Sequence, residues 1–230
     1  MLRRNKSAVA NDAAATPQPK GRSMRRANAQ LQSDRRTEIL DAAERCFARS
    51  GFHQASMQDI CAEAGMSPGN LYRYFPSKEA LIAGISERNR ADAVASFALV
   101  DQAPNFFDGL AQLARHHLVD RSDAEVGLCA EIMSESRRNA DVARLYQDIE
   151  SDIKARIAAM LQLACERGEV RADLDVDAAA TVLMVLGDGM SWRRSVEKGF
   201  DAERVLPLIL TMVHCLLAKP GACGKTESAS

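Results

Sequence analysis

The chain has 230 residues, 30 Lys and Arg against 31 Asp and Glu, and 47% hydrophobic residues with only 5% aromatics. That length supports a small domain plus one larger core, and a chain rich in Ala, Leu, Glu and Arg favours helices over strands. No stretch shows the alternation or Gly-rich turns of a sheet protein, so an all-α fold is predicted.

The net charge of −1 conceals an asymmetry. Arg3, Arg4, Lys6, Lys20, Arg22, Arg25 and Arg26 stand against Asp12 alone, which leaves +6 on residues 1–32 and −7 on the rest. With its Ala, Pro, Gln and Asn content, and Thr16-Pro-Gln-Pro-Lys20 in the middle, this segment reads as a disordered basic arm. It lacks the apolar stretch of a secretory signal, so a cytoplasmic protein is expected. Such an arm can lie along phosphates or enter a minor groove, or simply be a solvated leader.

From residue 33 the pattern becomes periodic. Ile39, Leu40, Ala43, Cys46 and Phe47 share one helical face, with Gly51 just past its end. Ser56 is placed to cap a second helix, with Asp59 three residues on reaching back to the cap's amide; Ile60, Cys61 and Ala64 form its apolar stripe. Gly65 stops that helix. Ser67 then caps a third, with Pro68 at the first helical position. Leu71 and Phe75 bury its inner face, leaving Gly69, Asn70, Tyr72, Arg73 and Tyr74 at its N-terminal end and outer side. A short helix offering small, polar and phenolic groups outward suits a major groove, so residues 56–75 read as a helix-turn-helix. Ser77 caps a fourth helix with Leu81, Ile82 and Ile85 inward.

The register Arg36-x-x-Ile39-Leu40-x-Ala42-Ala43, Phe47, Gly51-Phe52, Ile60-x-x-x-Ala64-Gly65-Met66-Ser67 and Leu71-Tyr72-x-Tyr74-Phe75-x-x-Lys78-x-x-Leu81 resembles the DNA-binding domain of the tetracycline-repressor (TetR) family. The match runs without a gap from about Ser33 to Glu87. The resemblance implies that Gln58 faces bases or phosphates and that Ser67, Pro68, Gly69, Asn70 and Tyr72 approach the groove. It also implies that Tyr72 and Tyr74 donate to phosphates and that Lys78 meets one at the start of the fourth helix. Arg73 lies where the family varies and can pair with guanine or the backbone. Asn70 stands where a threonine is common.

Beyond about Asn89 longer helices follow. One is expected from about Pro104 or Phe106 to His117, and one from Glu125 to Ser136 with Leu128, Cys129, Ile132 and Met133 on a face. The best defined runs from Asp141 to about Arg167. Its apolar positions Val142, Leu145, Ile149, Ile153, Ile157, Met160, Leu161 and Ala164 step by threes and fours, and Gly168 ends it. Asp177 is the expected cap of the next helix, which contains Gly187-Asp-Gly-Met-Ser-Trp192; the last spans roughly Ala202 to Ala218. Both are apolar nearly all round, yet neither has the roughly 20 uninterrupted apolar residues of a membrane span. That leaves burial on two sides, one against the protein and one against a second copy. Gly187 and Gly189 would permit close helix approach.

The resulting organisation is a basic arm (1–32), a three-helix head with its fourth helix (33–93), a helical effector-binding and dimerisation body (94–219) and a disordered tail (220–230). The TetR resemblance implies a homodimer through the last two long helices, reading half-sites about 34 to 36 Å apart on double-stranded operator DNA. It also implies an effector pocket in the body, for which Phe97, Phe106, Phe107, His117, Met133, Tyr146, Met184, Asp188 and Trp192 are the candidates. A mainly apolar pocket suits a small hydrophobic or aromatic molecule.

No metal, cofactor or enzymatic activity is expected. The six cysteines make no C-x-x-C pair, and the neighbours His116 and His117 point about 100° apart on a helix. No Ser/His/Asp arrangement or phosphate-cradling glycine loop is present. The competing function is an effector-independent, nucleoid-type DNA organiser using the same head.

Overall fold

The computed structural model describes residues 20–220, with side chains from residue 30 onward. It divides into a unit up to Thr37 and a unit from Glu38 onward. In the first, the described backbone is already helical: α1 spans Lys20–Gln54. The disorder expected to residue 32 therefore gives way to helix at Lys20, as the helix-favouring run Arg25-Arg-Ala-Asn-Ala-Gln-Leu31 past Pro19 allows. Gln30 donates to Asp34 at 2.8 Å and the Thr37 hydroxyl to the Ser33 carbonyl at 3.2 Å, bonds within one turn. Residues 1–19 and 221–230, which hold most of the expected arm and tail, lie outside the described residues.

The second unit is helical throughout its described residues: the rest of α1, then α2 (Met57–Glu63), α3 (Pro68–Tyr74), α4 (Lys78–Ser96), α5 (Ala98–Gln102), α6 (Phe106–Arg115), α7 (Asp123–Ser136), α8 (Ala140–Glu166), α9 (Val176–Val196) and α10 (Ala202–Leu217). The local signals that set these limits are mostly those of the sequence. Ser56 and Asp59 form the reciprocal capping box of α2, and Ser122 with Glu125 forms another for α7. Ser77 caps α4 through Ala80 N. Gly65 adopts φ 61°, the left-handed turn between α2 and α3 that a side chain would strain. Two caps differ from expectation. Ser67 sits at the start of α3 but makes no side-chain cap bond. Asp175, not Asp177, caps α9 by accepting from Ala178 N at 3.0 Å, and Asp177 instead pairs with Lys154 of α8.

Two apolar cores organise this unit. One joins Ile39, Phe47, Ile60, Leu71, Phe75 and Ile85 of the head to Leu128 and Ile132 of α7 and Val142 of α8. The other joins Phe106, Leu161, Val170, Ala180, Val213 and Leu217 at the far end. The boundary expected at residue 93 falls inside α4, which is one uninterrupted helix to Ser96. Gly84 explains how closely α4 lies on the head: a Cβ there would come within 2.9 Å of both Leu40 and Phe75. Ion pairs brace the same joint, with Arg88 reaching Asp41 and Glu44 of α1 at 2.6 Å each and Arg90 reaching Asp152 of α8 at 2.7 Å.

The apolar stripe of α8 serves three neighbours in turn. Val142 and Leu145 pack on the head core, Ile149 and Ile153 face a void, and Leu161 and Ala164 close the far core. On α9 and α10, Val182, Val185, Trp192, Val196, Leu208 and Met212 stay 40–65% exposed while the opposite sides are buried. Gly187 and Gly189 do not bring helices together within the chain. A Cβ on the first would meet Leu118 at an ordinary 3.8 Å, and on the second nothing.

Candidate nucleic-acid face and effector cavity

The head presents one face built from α2 and α3. Leu71 and Phe75 are fully buried, so the rest of α3 is turned outward by helical spacing alone. Tyr72 is 49% exposed, and Gln58, Ser67, Pro68, Gly69 and Arg73 are exposed around it. Asn70 is half-buried, and Tyr74 is half-buried with its ring on the head core. A Cβ on Gly69 would touch nothing within 4 Å. The protein's own packing therefore gives no reason for glycine at this outward position.

Lys78 departs from its expected role. Its Nζ donates to the carbonyls of Phe52 at 2.6 Å and His53 at 3.3 Å, and lies 4.5 Å from the centre of the Phe52 ring. The ammonium is thus engaged at the C-terminal end of α1, where a cation satisfies orphan carbonyls and complements the helix dipole. It anchors the start of α4 to the head rather than pointing at solvent. On the other side of the head, Arg45 and Arg49 meet Glu63 at 2.7 and 3.3 Å and brace α2 against α1.

In the body the helices line a half-open cavity of about 330 Å³, within the usual range for a small-molecule site. Its wall is mainly apolar: Leu110, Leu113, Ile149, Ile153 and Met160 line it with Leu183, Leu186 and Ile209. Of the candidates named from sequence, it gathers Phe97, His117, Met133, Tyr146, Met184 and Asp188. Three others lie elsewhere. Phe106, at the start of α6, is buried in the far core; Phe107 packs against the His214 ring at 4.4 Å; and Trp192 is 53% exposed on the outer side of α9.

The polar groups of the cavity have definite states. A π-helical turn at His116–Asp120 follows α6 and carries the chain past the expected end at His117. Within it His116 reaches outward to Asp92 at 3.3 Å, while His117 turns inward with Nε2 2.6 Å from the Ser96 hydroxyl. Burial, helped by the charges of His116 and Arg121, pushes the His117 pKa down to about 4, so the ring is neutral at pH 7. Arg194, 9% exposed, holds the turn in place. Its guanidinium donates to the carbonyls of Leu118, Val119 and Arg121 and to Asp123.

Several lining groups escaped the sequence reading: Glu150, Arg121, Cys129, and Asn89 and Arg90 of α4. Glu150 was findable, since it lies one turn beyond Tyr146 between Ile149 and Ile153 of the inward stripe. Burial and the charge of Asp188 raise its pKa, while the hydrogen bond donated by Tyr146 opposes the rise. Burial likewise raises Asp188 and, with both carboxylates adding to it, Tyr146. Burial pushes the Cys129 thiol up, which makes it a small wall residue rather than a nucleophile. The Arg121 Nε is buried without a hydrogen-bond partner. Among the described residues no group of three or more His, Cys, Asp or Glu is placed to hold a metal ion, and no helix is long and apolar enough to cross a membrane.

Comparison with known proteins bears on both sites. Residues 39–85 match the family model for bacterial regulatory proteins of the tetR family, and residues 107–218 match that for the C-terminal part of BetI-type transcriptional repressors. The chain is 34% identical over 155 residues to the HTH-type transcriptional regulator UidR of Escherichia coli K12, covering 67% of this chain and 79% of UidR. It is 25% identical over 181 residues to the HTH-type transcriptional repressor AcnR of Corynebacterium efficiens, covering 78% and 92%. Among solved structures, Salmonella enterica GusR superposes with a TM-score of 0.67 at 34% identity, covering 78% of this chain and 95% of GusR. A Saccharomonospora viridis transcriptional regulator in complex with choline gives 0.72 at 25% identity, covering 81% and 99%. These relatives are regulators and repressors, not enzymes; regulators of this kind bind operator DNA and act as dimers. With these matches, this chain belongs to the TetR family of DNA-binding transcriptional regulators.

Proposed function

We propose that this chain is a cytoplasmic homodimeric repressor that releases a pseudo-palindromic operator when a small hydrophobic or aromatic molecule fills the body cavity. One observation carries the reading: α4 belongs to both sites. Its first turns lie in the head core through Leu81, Ile82 and Ile85, and its later turns line the cavity through Ser86, Asn89, Arg90, Ala93 and Phe97. A ligand that favours one position of α4 over another shifts the head with it, and differential affinity is all that such a switch requires. That a relative is solved with choline supports a small organic effector here.

On the DNA side, Gln58, Ser67, Pro68, Gly69, Asn70, Tyr72, Arg73 and Tyr74 form the contact set, with Lys78 acting through the placement of α4. The exposed apolar faces of α9 and α10 support the dimer, because a monomer seldom leaves so many large side chains on adjacent helices in water.

Genome-wide mapping of the bound sites, followed by titration of the recovered DNA with purified protein, tests the reading. One or a few two-fold symmetric sites are expected, with occupancy falling as effector is added. Many dispersed sites that no small molecule releases would overturn it in favour of a DNA-organising protein.

A further inference from the structure

The charge inside the cavity is unbalanced. Glu150 of α8 and Asp188 of α9 both line it, and among the described residues neither forms an ion pair with a Lys, Arg or His. They are close enough for Asp188 to disfavour ionisation of Glu150, and both act on the Tyr146 hydroxyl. The remaining cationic groups of the wall are occupied or uncharged. Arg90 is bound to Glu87 and Asp152, His117 is neutral, and Arg121 lies 4.0 Å from Glu125 and from the Cys129 sulfur. Glu150 is half-buried and Asp188 keeps part of its surface in water, yet two like charges on one mainly apolar wall without a counter-charge repel each other. A ligand that supplies a positive charge relieves that repulsion directly, as an uncharged or anionic ligand does not. The aromatic side chains of Tyr146 and Phe97 line the same wall, and an aromatic ring can attract a cation.

We propose that the cavity takes an organic cation, its charge held by Glu150 and Asp188 beside the Tyr146 ring and its apolar part against Ile149, Ile153 and Met184. This rests on the reading of the cavity as the effector site and names the chemical class of the effector. Arg121 offers the rival: with its buried, unpartnered Nε, it would draw an anion to the same cavity. It is one charge already beside Glu125, against two carboxylates with none, and the acid pair prevails.

The test uses the full-length protein in calorimetric titration and thermal melting. The probes are choline, benzyltrimethylammonium, the uncharged alcohol in which carbon replaces the nitrogen of choline, and benzoate. Both ammonium ions should bind and raise the melting temperature, with the uncharged isostere at least about tenfold weaker, since one charge contact is worth about 1.4 kcal/mol or more. Glu150→Gln and Asp188→Asn should each weaken the ammonium ions by about tenfold or more. Both variants should keep the wild-type far-ultraviolet circular dichroism and oligomeric state, which shows that they fold.

Equal binding of the isostere, preferential binding of benzoate, no binding of either ammonium ion, or ammonium binding unchanged in both variants would each overturn the proposal. Operator titration beside these measurements separates the two claims. Release of operator by benzoate, or by the alcohol as readily as by choline, leaves the repressor reading standing while this one falls. Cation binding that leaves the operator held removes the repressor reading while this one stands.

Discussion

The head and the body solve opposite problems with the same material. In the head, Phe47, Ile60, Leu71 and Phe75 are fully buried, and most of the residues proposed to meet DNA, such as Gln58, Gly69, Tyr72 and Arg73, stand outside that core. In the body, the helices line a half-open cavity of about 330 Å³, and the residues proposed to meet a ligand are its wall. Function in the head is therefore separable from stability. In the body the two are coupled, because partial burial acts on His117, Tyr146 and Glu150 whether or not a ligand is there. A regulator gains from this division: the reading face stays rigid while the sensing region retains room to respond.

The comparison breaks first at its cores. Leu71→Ala removes a fully buried side chain from a solid core and should cost about 2–5 kcal/mol, enough to lose operator binding through unfolding of the head. Ile153→Ala removes a half-buried side chain that already faces a void and should cost nearer ~1 kcal/mol, with operator affinity retained. Chemical denaturation of both variants gives the ratio directly. Equal losses would mean that the cavity collapses in solution.

Next in size is Tyr72→Phe. With the ring 49% exposed, loss of its hydroxyl should leave the melting temperature within error of wild type. A charge-assisted bond to phosphate is worth about 1.5–3 kcal/mol, so two heads losing one each should weaken operator binding tens-fold or more. A destabilised variant with unchanged operator affinity would place the hydroxyl in the core and remove this face from the DNA.

Titration of the body supplies a third test, with opposite signs at two residues. The folded pKa of His117 is depressed, to about 4, against about 6.5 unfolded, so the unfolded chain takes up the proton first. Its contribution is complete above pH 6.5 and is lost as pH falls towards 4, a decline of the order of 1–3 kcal/mol that His117→Gln should flatten. The folded pKa of Glu150 is raised, so its contribution is present below the unfolded carboxylate value and lost as pH rises through the folded one. Glu150→Gln should therefore raise the melting temperature of the unliganded protein at pH 7. A lower one would show that the carboxylate stabilises the body in a way this cavity does not explain.

How legible each region was in the sequence follows from the same contrast. The head was readable almost residue by residue because its signals are local: the Ser56–Asp59 box, Gly65 at the turn, Pro68 at the first position of α3, and a short apolar stripe opposite the exposed side chains. The contacts of Lys78 within the head were not foreseen because its acceptors, the carbonyls of Phe52 and His53, lie 26 and 25 residues away in the chain. The body's helices were readable from period and caps, but which stripe residues face a void and which face a neighbour is a tertiary matter. Phe106, Phe107 and Trp192 were proposed for the cavity on residue type, whereas Glu150 was passed over because it is an acid within an apolar run. The π-turn that swings His117 inward has no local signature beyond the His116-His117 pair itself. Nor does the cap at Asp175 announce itself over Asp177, two residues on in a loop with three aspartates.

The smallest effect expected is also the one that separates the two kinds of region most cleanly. Gly69 lies near the start of α3, is exposed, and has open space where a Cβ would go. Alanine is favoured over glycine in helices by up to about 1 kcal/mol, less near an end, so Gly69→Ala should leave the head as stable as before or raise its stability by a few tenths. The chain's own packing leaves room for a methyl group there, so its effect is expected on the DNA side. If α3 approaches a groove by its N-terminal turn, a methyl group meets base or sugar where the backbone had fitted. Operator affinity should then fall severalfold while the melting temperature holds or rises, and random-DNA affinity, which rests on phosphates, should change less. The two measurements must move in opposite directions on one preparation. Operator affinity unchanged by the methyl would mean that α3 does not enter the groove by that turn, and the contact set would have to shift towards Tyr72, Arg73 and the C-terminal half of the helix.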